Sequence, residues 1–278
     1  MNNLFITLLS LGIVQGASEF LPISSSGHLV IFEMFPFFHN VLDAAGNDLE
    51  LFVNVSLHLA TLGAVIIYLW KDIGVIIKGV FSGILKKDYK RKEIYSFTNI
   101  IAASIPAGII GLLLHDTIES LFTSNTTVFF MLILNGFLLL STKIVPIKNR
   151  SIEEMGLIRS IFVGVFQALA ILPGISRSGS TITGGMFFGL APEEAARFSF
   201  LISIPAIAGA GLIELLKLAD KDISHNFFLP LSLAMVVTFI VGLISLKILF
   251  SLIRRVRIDI FGYYTLILGI GGILYLYL

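Results

Sequence analysis

The sequence predicts an all-α polytopic membrane protein, with six membrane-spanning helices and two re-entrant helical hairpins that are each broken in the middle. Three observations predict this fold class. Hydrophobic residues make up 56% of the chain and charged residues 13%, and the mean hydropathy of +0.96 is too high for a water-soluble domain. Six apolar runs reach the ~20 residues that cross a bilayer core. Two further apolar regions are interrupted by proline, glycine and serine.

The six predicted spans are Leu49–Trp70, Ile94–Leu114, Thr127–Pro146, Ala195–Leu216, Phe228–Phe250 and Asp259–Leu278. The two interrupted regions cover residues 4–36 and 157–190. Broken backbone at membrane depth is tolerated only where protein or a water-filled cavity satisfies its polar groups. We therefore expect each interrupted region to enter and leave the membrane on the same side.

Composition excludes several function classes. The net charge of +1 arises from 19 basic and 18 acidic residues, which indicates neither a nucleic-acid partner nor an acidic substrate. The absence of cysteine excludes disulfides, thiolate nucleophiles and cysteine metal sites. The start, Met1-Asn-Asn-Leu-Phe, lacks the basic region of a signal peptide, so we expect it to belong to the mature fold.

The distribution of lysine and arginine predicts the orientation in the membrane. The loop at 71–93 carries seven of them, 143–159 carries four and 247–257 carries four, whereas 36–48 and 115–126 carry none and 217–227 carries two. Basic loops stay in the cytoplasm. We therefore expect both termini outside, the first hairpin inserted from the outer face and the second from the cytoplasmic face.

This topology is typical of an inverted repeat, with one copy over residues 1–146 and the other over 147–278 of a single membrane domain. A shift of 152 residues aligns identical residues, among them Gly12 with Gly164, Gln15 with Gln167, Ile23 with Ile175, Ser24 with Ser176, Ser26 with Ser178 and Gly27 with Gly179. Where the copies differ, the first has an acid, a hydroxyl and an imidazole (Glu19, Ser25 and His28), and the second has a cation, Arg177.

Each hairpin places a Ser-x-Ser-Gly turn before a predicted half-helix, His28–Phe35 in the first and Thr181–Leu190 in the second. A helix start carries unpaired N–H groups and about half a positive charge, so it binds anions. Two such starts with Arg177 between them predict a cradle for several negative charges. A pyrophosphate fits this description better than a carboxylate.

The first hairpin also carries candidate metal ligands and a candidate nucleophile. Gln15 and Glu19 lie four residues apart, on one helix face, and could hold Mg²⁺ or Ca²⁺ by oxygen ligands. Ser25 or a neighbouring serine could act as nucleophile, with His28 as its base or as the acid for the leaving group. Attack by an activated water stays open as the alternative.

Two stretches resemble the signature motifs of the bacterial undecaprenyl pyrophosphate phosphatases, the bacitracin-resistance family. They are Gln15-x-x-x-Glu19 with Phe20-Leu-Pro-Ile-Ser-Ser-Ser-Gly-His28, and Pro173-Gly-Ile-Ser-Arg177-Ser-Gly-Ser-Thr181. The similarity extends over the whole chain and includes Ala195-Ala-Arg-Phe-Ser-Phe. Many members have a second glutamate where this chain has Gln15, which puts a role of that position as a base in doubt.

The resemblance implies a membrane phosphohydrolase that converts the C55 polyprenyl pyrophosphate to the monophosphate carrier used in cell-wall synthesis, at a site open to the outer side of the plasma membrane. It implies that Glu19 and Gln15 serve a divalent cation and that Glu19, Ser25, His28 and Arg177 serve the chemistry. The residues expected to hold the substrate are Ser24, Ser26, Gly27, Ser176, Ser178, Gly179 and Thr181. Phenylalanines are expected to line the groove for the prenyl tail.

Other polar residues in the spans have simpler interpretations. We expect His58 to pack or hydrogen-bond, Arg197 to pair with Glu193 four residues earlier, and Asn54 and Asn135 to join helices. The partners expected are the lipid substrate and membrane lipids, with no nucleic acid. The sequence leaves a homodimer open.

A secondary transporter or lipid flippase is the rival hypothesis, because inverted repeats with broken helices also build transporters. A carrier needs an anion site but no nucleophile and imidazole such as Ser25 and His28. Acid phosphatases of a membrane superfamily share the Ser-Gly-His sequence, but their spaced lysine and arginine motif and second histidine are not apparent here.

Overall fold

A computed structural model describes residues 2–35, 47–114, 121, 124–146, 148–218, 227–255 and 258–278. Within these residues the chain forms eleven α-helices: α1 Asn2–Ser18, α2 Ser25–Glu33, α3 Asn47–Tyr68, α4 Trp70–Leu85, α5 Lys92–Leu113, α6 Asn125–Leu140, α7 Leu157–Leu169, α8 Arg177–Phe187, α9 Pro192–Leu218, α10 Phe228–Arg255 and α11 Ile260–Tyr277. Short 3₁₀ turns lie at Ser141–Ile144 and Ile152–Glu154.

Six helical stretches among the described residues are long and apolar enough to cross a membrane. They are Leu49–Tyr68, Lys92–Leu113, Asn125–Ile144, Pro192–Leu218, Phe228–Arg254 and Ile260–Tyr277. They coincide with the six predicted spans, so the prediction of an all-α polytopic membrane protein is confirmed. Most of the segments 36–48, 115–126 and 217–227, which were expected on the outer side, lie outside the described residues.

Both interrupted regions consist of two helices separated by a turn, as predicted. α1 ends at Ser18 and α2 begins at Ser25, while α7 ends at Leu169 and α8 begins at Arg177. The two half-helices therefore begin three and four residues earlier than the sequence predicted. Serine is the cause, because Ser24 and Ser176 cap these helices, so their first turns include the serines and glycines that were expected to precede them.

The helices of one half of the chain pack mainly on helices of the other half. α1 packs along α10 and α7 packs along α5; α3 contacts α9 and α10, and α6 packs along α11. Glycines permit the closest approaches, since a Cβ added at Gly12 would lie 2.8 Å from the Ala234 carbonyl oxygen, and one at Gly164 would lie 2.4 Å from that of Ala103. The two hairpins are thereby held inside the bundle.

The first turn is anchored by an aromatic cluster in the core. Phe20 is fully buried, and its ring meets the edge of Phe200 on α9 with centroids 5.6 Å apart. Phe200 in turn packs against Phe250 of α10, at 5.8 Å. Because Phe20 directly follows Glu19, this cluster fixes where the carboxylate can lie.

An ion network joins three helices at one end of the bundle. Arg197 of α9 bonds both carboxylate oxygens of Asp72 on α4, at 3.0 and 2.9 Å, and bonds Glu193 at 3.1 Å. Arg254 of α10 bonds the same glutamate at 2.8 Å. The predicted pair of Arg197 with Glu193 is confirmed, and it belongs to a larger network that ties α4 to α9 and α10.

Candidate active site

The turns of the two hairpins lie in contact with each other. The Ser26 hydroxyl accepts a hydrogen bond from the Gly174 backbone N–H at 3.2 Å, and the Ser178 hydroxyl donates to the Leu21 backbone carbonyl at 3.3 Å. The start of each half-helix is thus bonded to the turn before the other one. The two half-helix starts, at residues 24–28 and 176–181, therefore lie side by side, as the predicted cradle requires.

The two half-helices begin in the same way. The hydroxyls of Ser24 and Ser176 accept hydrogen bonds from the backbone N–H groups of Gly27 and Gly179, both at 3.1 Å. The start of each half-helix still presents backbone N–H groups in its first turn that have no acceptor within the helix. Ser24 differs from Ser176 in one respect, because it adopts a φ of 71°, which side-chain-bearing residues rarely adopt.

Glu19 lies at the centre of the junction, and its side chain is only 5% exposed. One carboxylate oxygen accepts from Arg177 Nη2 at 2.5 Å. The other accepts from the Ser25 hydroxyl at 2.7 Å and from Gln15 Nε2 at 3.0 Å. His58 Nε2 lies 3.8 Å from that second oxygen. The second hairpin therefore supplies the cation that compensates the buried acid of the first.

The guanidinium of Arg177 uses only part of its hydrogen-bonding capacity within the protein. Nη2 is bonded to Glu19, while Nη1 is buried and has no hydrogen-bond partner among the described residues. A buried charged donor without a partner is costly. An anion beside Arg177 would remove that cost, and the planar fork of arginine suits two phosphate oxygens.

Exposure divides the predicted site residues into two groups. Ser25, Ser26, His28 and Arg177 are partly accessible, whereas the buried residues are Gln15, Glu19, Ser24, Gly27, Ser176, Ser178, Gly179 and Thr181. Thr181 is fully buried; its hydroxyl donates to the Arg177 carbonyl at 2.7 Å and lies 2.6 Å from the Ser199 hydroxyl of α9. The buried hydroxyls hold the half-helices in place, and the accessible groups are those that a substrate can contact.

Ser25 and His28 do not form the hydrogen-bonded pair that the sequence suggested. The Ser25 hydroxyl donates to Glu19, and both ring nitrogens of His28 are engaged elsewhere. Nδ1 lies 2.7 Å from the Ser24 carbonyl, which only accepts, so Nδ1 carries the proton. Nε2 lies 2.7 Å from the Tyr264 hydroxyl, which must then donate to the neutral ring. The acceptor for the Ser25 proton is therefore Glu19.

Three residues around the junction were not assigned to the site from the sequence. Tyr264 of α11 stacks on the His28 ring with centroids 5.7 Å apart. Asn135 of α6 bridges both turns, since its amide nitrogen donates to the Pro22 carbonyl at 3.4 Å and its oxygen accepts from the Ser176 N–H at 3.0 Å. His58 was expected to pack or hydrogen-bond, and its Nδ1 does lie 2.8 Å from the Asn54 carbonyl, but its Nε2 also approaches Glu19 and so belongs to the surroundings of the junction.

The residues present fit a divalent cation only with help from substrate and water. Within the described residues, no group of three or more histidine, aspartate or glutamate side chains lies close enough to hold a metal ion. Gln15 Oε1 is buried without a hydrogen-bond partner, and it belongs to the same side chain that reaches Glu19. Gln15, Glu19 and Ser25 offer the oxygen ligands that Mg²⁺ or Ca²⁺ prefers, and a pyrophosphate would complete the set.

Comparison with known proteins finds the same similarity along almost the whole chain. A family model described as "Bacitracin resistance protein BacA" matches residues 8–271. A protein of Methanosphaera stadtmanae named undecaprenyl-diphosphatase is 38% identical over 275 residues, 95% of each chain. Proteins of the same name from Halothermothrix orenii and Thermosipho africanus are 38% and 40% identical, over 94% of this chain and 93% and 96% of theirs.

Proposed function

We infer that this chain, which belongs to the bacitracin resistance protein BacA family, is a membrane phosphohydrolase that converts undecaprenyl diphosphate to undecaprenyl phosphate and inorganic phosphate. The carrier so regenerated serves cell-wall synthesis. The relatives are named as diphosphatases, which supports hydrolysis and does not support the rival hypothesis of a transporter. One observation carries the site assignment: the accessible Ser25 hydroxyl and the Arg177 guanidinium both bond the same buried carboxylate, Glu19.

Arg177 is assigned to the diphosphate. Its free Nη1 would bond an oxygen of the phosphoryl group that is transferred, and the starts of α2 and α8 add N–H donors and positive potential. Phosphoryl transfer is catalysed mainly by positioning and by donors aimed at the charge on the equatorial oxygens. These groups are fixed before substrate arrives, because buried caps hold both half-helices.

Glu19 is assigned as the base. Its 2.7 Å contact with the Ser25 hydroxyl is short enough for proton transfer. In the covalent route Ser25 Oγ attacks the terminal phosphorus, its proton passes to Glu19, the lipid monophosphate leaves, and water then hydrolyses the phosphoserine. In the direct route Glu19 deprotonates a water that attacks the same phosphorus. Substituting Ser25 with alanine separates the two routes, because only the covalent route needs the serine hydroxyl.

His28 and Tyr264 are assigned to substrate positioning. Their stacked pair lies one turn along α2 from Ser25, on the accessible side of the helix start. The Tyr264 hydroxyl can turn its proton toward a phosphate oxygen when substrate replaces its hydrogen bond to His28, and the His28 ring, held through Nδ1 by the Ser24 carbonyl, keeps the tyrosine in position by stacking. The sequence suggested His28 as the base for Ser25 or as the acid for the leaving group, and the bond of Ser25 to Glu19 gives the role of base to Glu19 instead.

A divalent cation is part of this proposal. Glu19, Gln15 Oε1 and the Ser25 hydroxyl are the protein groups that would hold Mg²⁺ or Ca²⁺, which would neutralise charge on the diphosphate. Phosphate release should stop on addition of chelator and return with excess Mg²⁺ or Ca²⁺.

We place the protein in the bacterial plasma membrane with the site open to the outer side, as an inverted repeat of residues 1–146 and 147–278. The basic residues of 143–159 and 247–257 support a cytoplasmic position for those segments. The helix pairing supports the repeat. In an inverted repeat α1 corresponds to α7 and α10 to α5, and α1 packs on α10 just as α7 packs on α5.

The test is release of inorganic phosphate from C55 pyrophosphate by the purified chain. Glu19→Gln should abolish release, because glutamine neither accepts the Ser25 proton nor compensates Arg177. The control is Arg159→Ala, at an exposed arginine whose guanidinium bonds only the Met155 carbonyl among the described residues; it should retain full activity. Wild-type turnover by Glu19→Gln would refute the assignment.

A further inference from the structure

A helix lies where the sequence predicted only a basic loop. The segment at 71–93 was interpreted as an orientation signal, yet Trp70–Leu85 forms the 16-residue helix α4. It connects two consecutive spans, α3 and α5, and is not itself among the six candidate spans, so both of its ends lie on the same side of the membrane. At 1.5 Å per residue it is about 24 Å long, and it carries Lys71, Asp72 and Lys78, so it is unsuited to cross the bilayer itself.

One side of α4 is fixed to the bundle. Gly79 and Gly83, one turn apart, are buried against α5, where an added Cβ would lie 2.3 Å from Glu93 Cγ and 2.6 Å from Ile94 Cδ1. Asp72 lies on this same side and is bonded by Arg197. This side is therefore occupied by protein, and its acid is already neutralised.

The opposite side of α4 is apolar and exposed. Trp70, Ile77, Phe81 and Ile84 are spaced by seven, four and three residues, which places them on one helical face. They are 62%, 59%, 68% and 57% exposed. Four large side chains in one row form an apolar strip of the kind that marks an interaction surface.

Unpaired positive charge borders this strip. Five exposed lysines have no ion-pair partner among the described residues: Lys71, Lys78, Lys86, Lys87 and Lys90. Lys71 and Lys78 are seven residues apart and so lie along one flank of the strip, and the other three follow its end. Trp70 begins the strip and the exposed Tyr89 follows the helix in the sequence; tryptophan and tyrosine are both enriched at membrane surfaces.

We propose that α4 lies in the plane of the membrane surface and binds anionic phospholipid, with the strip among the acyl chains and the five lysines on headgroup phosphates. A basic flank beside an apolar face is complementary to an anionic leaflet. The flanking spans carry the strip to this surface, because α3 ends at Tyr68 and α5 begins at Lys92. This surface lies outside the Glu19 junction, and the lipid that it binds is not the substrate.

Trp70 makes the proposal testable, because it is the only tryptophan in the sequence. The full chain is reconstituted in phosphatidylcholine vesicles that contain either brominated phosphatidylglycerol or brominated phosphatidylcholine at the same mole fraction. Trp70 fluorescence should be quenched more by the anionic bromolipid. The preference should fall at high salt, since each lysine near an anionic surface strengthens association roughly fivefold.

The matched variants change Lys78, Lys86, Lys87 and Lys90 together. The fourfold Lys→Gln variant should lose the preference for the anionic bromolipid, and the fourfold Lys→Arg variant should keep it, both with unchanged phosphate release. Equal quenching by the two bromolipids in the native chain would overturn the proposal. Quenching by neither lipid would also overturn it, because water or a protein would then cover the strip. Quenching that changes with the protein density in the vesicles would overturn it as well, and would identify a second copy of the chain as the occupant.

Discussion

Arg177→Lys separates the two tasks that the structure gives to one guanidinium. Nη2 holds Glu19 while Nη1 remains free for the substrate. A lysine keeps the positive charge, and can compensate Glu19, but its single ammonium does not reproduce the planar fork. Losing one donor to the developing phosphoryl charge costs about 10²–10³ in kcat. We therefore expect Arg177→Lys to remain folded and to release phosphate about 10²–10³ times more slowly.

The alanine variant should fail for an additional reason. Arg177→Ala leaves the Glu19 carboxylate, with a side chain 5% exposed, beside the neutral groups of Gln15 and Ser25. Removing one partner of a buried ion pair costs about 3–5 kcal/mol of stability. The double variant with Glu19→Gln should recover most of the thermal stability in detergent and none of the activity.

Phosphate release is followed with C55 pyrophosphate, and thermal unfolding is followed in the same detergent. Wild-type kcat for Arg177→Lys would refute the assignment of Nη1 to the substrate. A double variant no more stable than Arg177→Ala alone would refute the compensation of Glu19 by Arg177.

Three further predictions follow from contacts described above, two of them with a matched comparison variant. Ser25→Ala should abolish phosphate release, and with it a trappable phosphoserine, if the attack is covalent; if water attacks, the variant should only be slower. Its comparison variant, Ser24→Ala, should mainly cost about 1 kcal/mol of stability through the lost helix cap. Tyr264→Phe should raise KM more than it lowers kcat, since it removes the hydroxyl beside His28 Nε2 and leaves the ring stack; an unchanged KM would contradict a positioning role. Gly164→Ala should destabilise the chain by about 1–3 kcal/mol, because its Cβ would meet the Ala103 carbonyl. Gly108→Ala, with nothing within 4 Å, is its control in thermal unfolding.

Much of the fold could be predicted because membrane insertion leaves a strong signal. The six spans are long apolar runs, and the two turns interrupt apolar sequence with proline, glycine and serine. The contact between the turns was predictable too, because Glu19 in one copy required a cation and Arg177 in the other supplied it. Both inferences rest on the high cost of unpaired polar groups in lipid.

The local details were harder to predict, for physical reasons. Three consecutive serines at 24–26 can each cap a helix, and no Glu or Gln stands where a capping box would identify the first of them. α4 was missed because its lysines and its glycines at 74, 79 and 83 are typical of a loop, whereas its packing against α5 and the bond of Asp72 to Arg197 join residues far apart in the chain. Tyr264 and Asn135 reach the site from helices far along the chain, which no local pattern reveals.

The bonds between the two turns also bear on how the protein is made. The Ser26 hydroxyl and the Gly174 N–H are 148 residues apart in the chain. At about 5–20 residues synthesised per second, the first hairpin waits about 7–30 s for the partner that satisfies its polar turn. During that interval its broken backbone has to remain in water or be held by the insertion machinery. We therefore expect the chain to be most exposed to degradation while only its first half has been made.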